Sequence, residues 1–265
     1  GLLRDGMGRS PAQAADLFGR WNEGRLKSYL VEISHKVLAA TDEKTGKPMV
    51  DVILDRAGQK GTGRWTVIEA LSLGQSASTI EAAVGARSWS AAREARIDGA
   101  GLFPGGNGAV ELSDEVLEQA LLAAKIIAYS QGFSLLAAAS EHYDWNLDMG
   151  RIAEVWRAGC IIRSAMLDDM AAAARAGMPQ GMLIFAPDFA KLVGPATEAL
   201  RKVVAAAAGA RIPVPAFSAA LAYFDTMRQA RGTTDLIQAQ RDYFGAHGFE
   251  RLDGGSGHHG PWSLG

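Results

Sequence analysis

The stretch AGQKGTGRWT, residues 57–66, gathers glycine, lysine and threonine in the manner of an anion-binding turn. Glycines at 58, 61 and 63 let a backbone turn tightly and expose its amides, while Lys60 adds a charge and Thr62 a hydroxyl. That combination suits a phosphate held as a dianion. Gly58 and Gly63 are spaced as in a nucleotide-binding P-loop, but Arg64-Trp65 stands where Lys-Ser/Thr would follow. The same residues equally describe a glycine-rich connection between helices with Lys60 in solvent.

Two further stretches carry charge at suggestive spacings. In QAQRDYFGAH, residues 238–247, Arg241 and His247 lie nearly two helical turns apart, with Tyr243 and Phe244 between them. Arginine forks onto phosphate or carboxylate, and histidine donates or accepts near neutral pH. Taken alone, an amphipathic helix with a surface arginine and a terminal histidine is the better account. In ARSWSAAREARI, residues 86–97, Arg87, Arg93 and Arg96 read as a solvated face. One of the three could turn toward an anion, and nothing in the sequence selects it.

Metal chemistry is not expected. His258 and His259 adjoin in a glycine-rich tail, His35 and His142 are isolated, and Cys160 has no close partner. No nucleophile elbow is present either, so no catalytic residue is assigned within this chain.

The elements that must position these residues read as helices. Long stretches are rich in Ala, Leu, Glu, Lys and Arg, which favour helix. The clearest is 113–143, where Ser113 can cap, Asp114 and Glu115 suit the positive end of the dipole, and apolar residues recur three to four apart. Its length and apolar wrap predict a central helix, in which Gly132 would permit a close crossing. Other helices are predicted over roughly 11–20, 25–40, 65–72, 76–97, 149–175, 187–209, 216–231 and 234–246. Polar, glycine-rich and proline breaks fall at 41–49, 99–108 and 211–216, and only MVDVIL, 49–54, looks β-like. The predicted fold class is all-α. Trp21 and Gly24 recur as Trp156 and Gly159, a faint sign of a duplicated helical layer. The glycine-rich last stretch, 252–265, cannot pack as a helix and is expected to be a tail that depends on contacts elsewhere.

Composition limits the partners. The chain has 265 residues, 48% hydrophobic and 21% charged, with a net charge of -2. That balance argues against broad binding to nucleic acid or anionic lipid, so anion chemistry must come from local clusters. No apolar run approaches the length of a membrane span, and no Rossmann fingerprint follows a strand. The chain begins with Gly in what reads as mid-helix, and is expected to be a piece of a longer protein.

Together these motifs form a recognisable set. VDVILDRAGQKGTGRWT, ARSWSAAREAR, AYSQGF, WRAGCIIRS, IPVPAFSAALAYFD and DLIQAQRDYFGAH occur in the order and spacing of the 6-phosphogluconate dehydrogenases, which the chain resembles along essentially its whole length. The resemblance implies NADP-dependent oxidative decarboxylation of 6-phosphogluconate to ribulose 5-phosphate in the pentose phosphate pathway, in the cytoplasm. It implies that this chain is an all-helical substrate-binding and dimerisation domain over 1–231 and a tail over 232–265 that reaches the partner subunit, with the NADP domain, the base lysine and the acid glutamate lying upstream. By the same resemblance Lys60, Gly61, Thr62 and Arg87 hold the substrate phosphate. Arg241 and His247 would reach the neighbouring subunit's site, making the enzyme a homodimer with shared active sites. Arg64 replaces a lysine common in the family and keeps its charge. The alternative expectation is a non-catalytic helical module that dimerises or binds sugar phosphates.

Overall fold

The computed structural model describes residues 1–157 and 159–262. Among them helices are joined by turns and three isolated β-bridges, as the all-α expectation requires. After a π-helical turn at Leu2–Gly6 come α1 (Pro11–Trp21), α2 (Tyr29–Ala39), α3 (Met49–Val52), α4 (Thr62–Ser72), α5 (Ser78–Ala91) and α6 (Arg93–Leu102). The long α7 (Asp114–His142) is followed by α8 (Met149–Trp156), α9 (Leu167–Ala176) and two short 3-10 turns. The remaining helices are α10 (Pro187–Gly209), α11 (Pro215–Met227) and α12 (Thr234–Gly245). The chain forms two compact units, Gly1–Ala222 and Tyr223–Gly265.

Helix α7 is the axis of the first unit. Ser113 caps it by accepting from Val116 N–H, and Leu117, Ile126, Ile127 and Phe133 are buried along its length. It packs most extensively on α10, whose Phe189, Val193, Leu200 and Val203 are buried. By length and composition α7 could cross a bilayer, which corrects the expectation that no stretch approaches a membrane span. Just over half of that window is buried inside the protein, the usual environment of a core helix. A Cβ at Gly132 would meet nothing within 4 Å, so within this chain no close crossing demands that glycine.

The AYSQGF segment places buried polar groups on α7 where other elements begin. Gln131, fully buried, accepts from Thr79 N–H at 3.1 Å and donates to Ser78 Oγ at 2.9 Å. It thereby caps α5, whose own N-cap residue Ala77 supplies no side-chain acceptor. Ser130 Oγ accepts from Ile184 N–H at 3.2 Å in the second 3-10 turn. Gln131→Leu keeps the volume but orphans the Thr79 amide. It is expected to cost about 1–3 kcal/mol, measured by denaturant unfolding.

The faint repeat has a structural counterpart. Trp21 ends α1 and Trp156 ends α8, and α1 packs on α2 as α8 packs on α9. The loops that join each pair meet at the Ser28–Ser164 bridge, with Tyr29 N–H on Arg163 O at 3.1 Å and Ala165 N–H on Lys27 O at 2.9 Å. Lys125 of α7 donates to Ser164 Oγ at 2.9 Å at this seam, and burial pulls its ammonium down to about 8.

Several element limits differ from the sequence reading. MVDVIL is not a strand: Met49–Val52 forms a helical turn and only Ile53 is extended. The predicted helix 149–175 breaks into α8 and α9, because residues 163–165 are taken by the bridge and Gly159 adopts φ +75°. Ala158 in that break lies outside the described residues. The predicted helix 76–97 divides at Ala92, and α6 runs on into the expected loop 99–108.

Candidate functional site

The glycine-rich stretch becomes the entry to α4. Gly61 is its N-cap, buried and left-handed at φ +110°, a conformation that L side chains rarely adopt. Having no side chain, Gly61 offers the first-turn amides of α4 no acceptor. Uncapped N–H groups and the positive end of the helix dipole make such an end receptive to an anion. Lys60 and Thr62 flank that end and both are exposed. A Cβ at Gly63 would stand 3.0 Å from Val84 Cγ2, so glycine there lets α4 approach α5 closely.

The preceding loop is fastened to α5 and α6. Asp55 takes Arg96 at 2.8 Å and Arg93 at 3.5 Å. The hydrogen bond from Arg96 is the main force holding the Asp55 carboxyl below its ordinary value. Ala57 N–H donates to Ser90 Oγ at 3.0 Å, and Gln59 Nε2 donates to Ser88 Oγ at 2.9 Å. The Arg87 guanidinium donates to the Gly58 carbonyl. The three arginines of this region are therefore distinguished: Arg93 and Arg96 pair with Asp55, whereas Arg87 turns to the glycine loop. The structure thus ties Arg87 to Gly58, in the same short loop that carries Lys60, Gly61 and Thr62.

Arg241 and His247 belong to the second unit, and both are exposed. Arg241 donates to Gln238 Oε1 at 3.1 Å, one turn back on α12. The His247 ring lies edge-on to Phe244 at 6.1 Å. Between them in sequence is Asp242, only 1% exposed, which sequence reasoning missed. It accepts from Gly248 N–H at 2.9 Å, His259 Nδ1 at 2.6 Å, Gly260 N–H at 2.9 Å and Trp262 Nε1 at 2.9 Å. The described tail is thus bound to α12 of its own chain, aided by the Phe249–His258 bridge. Residues 263–265 of the predicted tail lie outside the described residues. A signal was available: the donor-rich HHGPW segment requires an acceptor if it is to be ordered.

The four donors also set how the tail responds to acid. The Gly260 amide first, then His259, the Gly248 amide and Trp262, hold the Asp242 carboxyl well below the usual carboxylate range, against the opposing effect of burial. A depressed folded-state pKa means that the stability from the ionised form is complete above the unfolded value of about 3.9. It is lost as pH falls below that value. The Trp262 indole N–H resonance is therefore expected to keep its hydrogen-bonded position at about pH 4, where a free carboxyl is half protonated, and to move toward the free-indole position only well below it. An unchanged resonance on further acidification would refute the assignment.

A separate apolar cavity of about 330 Å³ is lined by Leu2, Phe18, Trp21, Leu117, Leu121 and Phe217, among others. It includes none of the predicted binding residues.

Residues 1–262 match the family model described as 6-phosphogluconate dehydrogenase, C-terminal domain. The chain belongs to this family. The 6-phosphogluconate dehydrogenase of Bacillus subtilis (strain 168), named NADP(+)-dependent and decarboxylating, is 44% identical over 98% of this chain and 57% of its own length. The decarboxylating enzyme of Escherichia coli (strain K12) is 43% identical over 98% of this chain and 56% of its own. Plasmodium falciparum 6-phosphogluconate dehydrogenase, solved in its apo form and with NADP+ or 6-phosphogluconate, superposes with a TM-score of 0.93 at 38% identity. That likeness covers 98% of this chain and 57% of the Plasmodium one. The chain thus spans somewhat over half the length of the 6-phosphogluconate dehydrogenases it matches.

Proposed function

We propose that this chain is the substrate-phosphate and dimerisation part of a cytoplasmic NADP-dependent, decarboxylating 6-phosphogluconate dehydrogenase. The observation that carries the reading is the GQKGTG loop, fastened by Arg87 at the uncapped start of α4, in a chain of this family. Two cations, a hydroxyl and first-turn amides match the charge and acceptor count of a phosphate dianion. Burying such an anion needs several donors at once, and Arg241 and His247, from a partner subunit, would complete the set.

The residues described do not fit NADP. Among them are helices and isolated bridges, with no strand leading through a glycine-rich turn into a helix. The dinucleotide and the proton-transfer groups belong, on this reading, to the remainder of the protein. In the reaction, a 3-hydroxy acid oxidised to its 3-keto form loses carbon dioxide readily, because the developing carbanion delocalises into the ketone. What this chain contributes is orientation: anchoring the phosphate at the far end of the sugar holds the reacting carbons in register.

The test compares 6-phosphogluconate with gluconate on the full-length enzyme by following NADPH formation. Gluconate, lacking the phosphate, is expected to react with a kcat/KM at least about 1,000-fold lower. The 265-residue chain by itself should turn over neither substrate. Comparable rates with gluconate would refute the phosphate-anchor reading.

A further inference from the structure

We infer that Asp242 and Gln238 are positioning residues that fix Arg241 and His247 for substrate, with the tail segment 258–262 as their brace. The inference rests on the reading that Arg241 and His247 bind substrate, and adds how they are held. Among the described residues Asp242 is the carboxylate that is buried, and a buried carboxylate persists only when its lone pairs are filled. Here Oδ1 takes the Gly248 amide and His259, while Oδ2 takes the Gly260 amide and the Trp262 indole.

The consequence falls on the two flanking residues. Arg241 immediately precedes Asp242. His247 immediately precedes Gly248, and both backbone polar groups of Gly248 are held from α12. Its N–H goes to Asp242, and its carbonyl accepts from Gln238 Nε2 at 2.6 Å. The same Gln238 side chain accepts the Arg241 guanidinium through Oε1. On either side of His247 the chain is left-handed, at φ +48° for Ala246 and +70° for Gly248. Alanine is strained there, so external bonds must hold the turn, and Asp242 and Gln238 supply them. One network therefore determines where the imidazole leaves the backbone and where the guanidinium lies. The brace explains why the tail carries hydrogen-bond donors: His259 and Trp262 saturate Asp242 from the side opposite the turn in sequence.

The experiment is a mutant cycle in the full-length enzyme. Asp242→Asn cannot accept from all four donors, since its amide nitrogen is itself a donor. It is expected to raise the KM for 6-phosphogluconate about tenfold or more, while kcat changes much less. Trp262→Phe removes one donor and should shift KM the same way by a few-fold. The deciding measurement repeats Asp242→Asn in Arg241→Ala and His247→Ala backgrounds, where a residue acting through these two loses most of its effect. Full additivity there would overturn the inference, as would an unchanged KM in a folded Asp242→Asn enzyme. If Asp242→Asn does not fold, Gln238→Ala, which leaves the buried carboxylate intact, carries the same cycle with the same criteria. If Arg241→Ala and His247→Ala themselves leave KM unchanged, the substrate reading fails first and this inference falls with it, an outcome distinct from additivity.

Discussion

Lys60→Ala and Arg87→Ala, each in the full-length enzyme, are expected to raise the KM for 6-phosphogluconate about 100-fold while leaving that for NADP within about twofold. The magnitude follows from the bonds removed. A hydrogen bond between ionised partners contributes up to about 3 kcal/mol net, equivalent to roughly two decades of affinity. Lys60 is exposed and would reach the phosphate as a point charge, so its removal should subtract one charge and little else. Arg87 has a second task, because its guanidinium also holds the Gly58 carbonyl. Arg87→Ala should therefore lose the charge and loosen the loop together, making it the more damaging change. Arg87→Lys restores charge without the fork and should fall between wild type and Arg87→Ala. Steady-state kinetics with each substrate varied separates these cases. Unchanged KM for 6-phosphogluconate in both alanine variants would remove the phosphate from this site.

The helical architecture is legible because local signals agree with one another. Ser10 and Ser113 precede α1 and α7, and both serve as caps; Pro187 and Pro215 open α10 and α11. What cannot be read is whatever depends on tertiary partners. The α8–α9 break lies where backbone is diverted to pair with residues 27–29, more than a hundred positions away. MVDVIL has a β-like composition, but Val52, Ile53 and Leu54 find no neighbouring strand and stay exposed. The site follows the same division. Glycine, lysine and threonine types suggested either an anion loop or a plain turn, while the fact that Arg87, and not Arg93 or Arg96, meets that loop depends on where Asp55 sits. Asp242 was hidden because its four donors come from residues 248–262, and a pattern search along one helix does not reveal them.

Ending the full-length protein after Arg231 is expected to lower kcat/KM at least about 1,000-fold and to weaken the dimer, because α12, Arg241, His247 and the brace leave together. A fully active truncated enzyme would refute any role for this segment. Loss of activity alone, however, does not distinguish a shared site from simple destabilisation. Mixing does. If Lys60 of one subunit works with Arg241 and His247 of the other, a Lys60→Ala dimer and an Arg241→Ala/His247→Ala dimer are each defective at both sites. After subunit exchange, a mixed dimer places all the damage in one site and leaves the other intact. Random reassortment of equal amounts makes half the dimers mixed, so about a quarter of all sites should recover wild-type KM. If instead each subunit supplies its own Arg241 and His247, no combination restores an intact site, and the mixture stays as defective as its parents. Native mass spectrometry on the same samples, with an affinity tag adding mass to one parent, confirms that mixed dimers have formed, which makes the absence of recovery as informative as its presence.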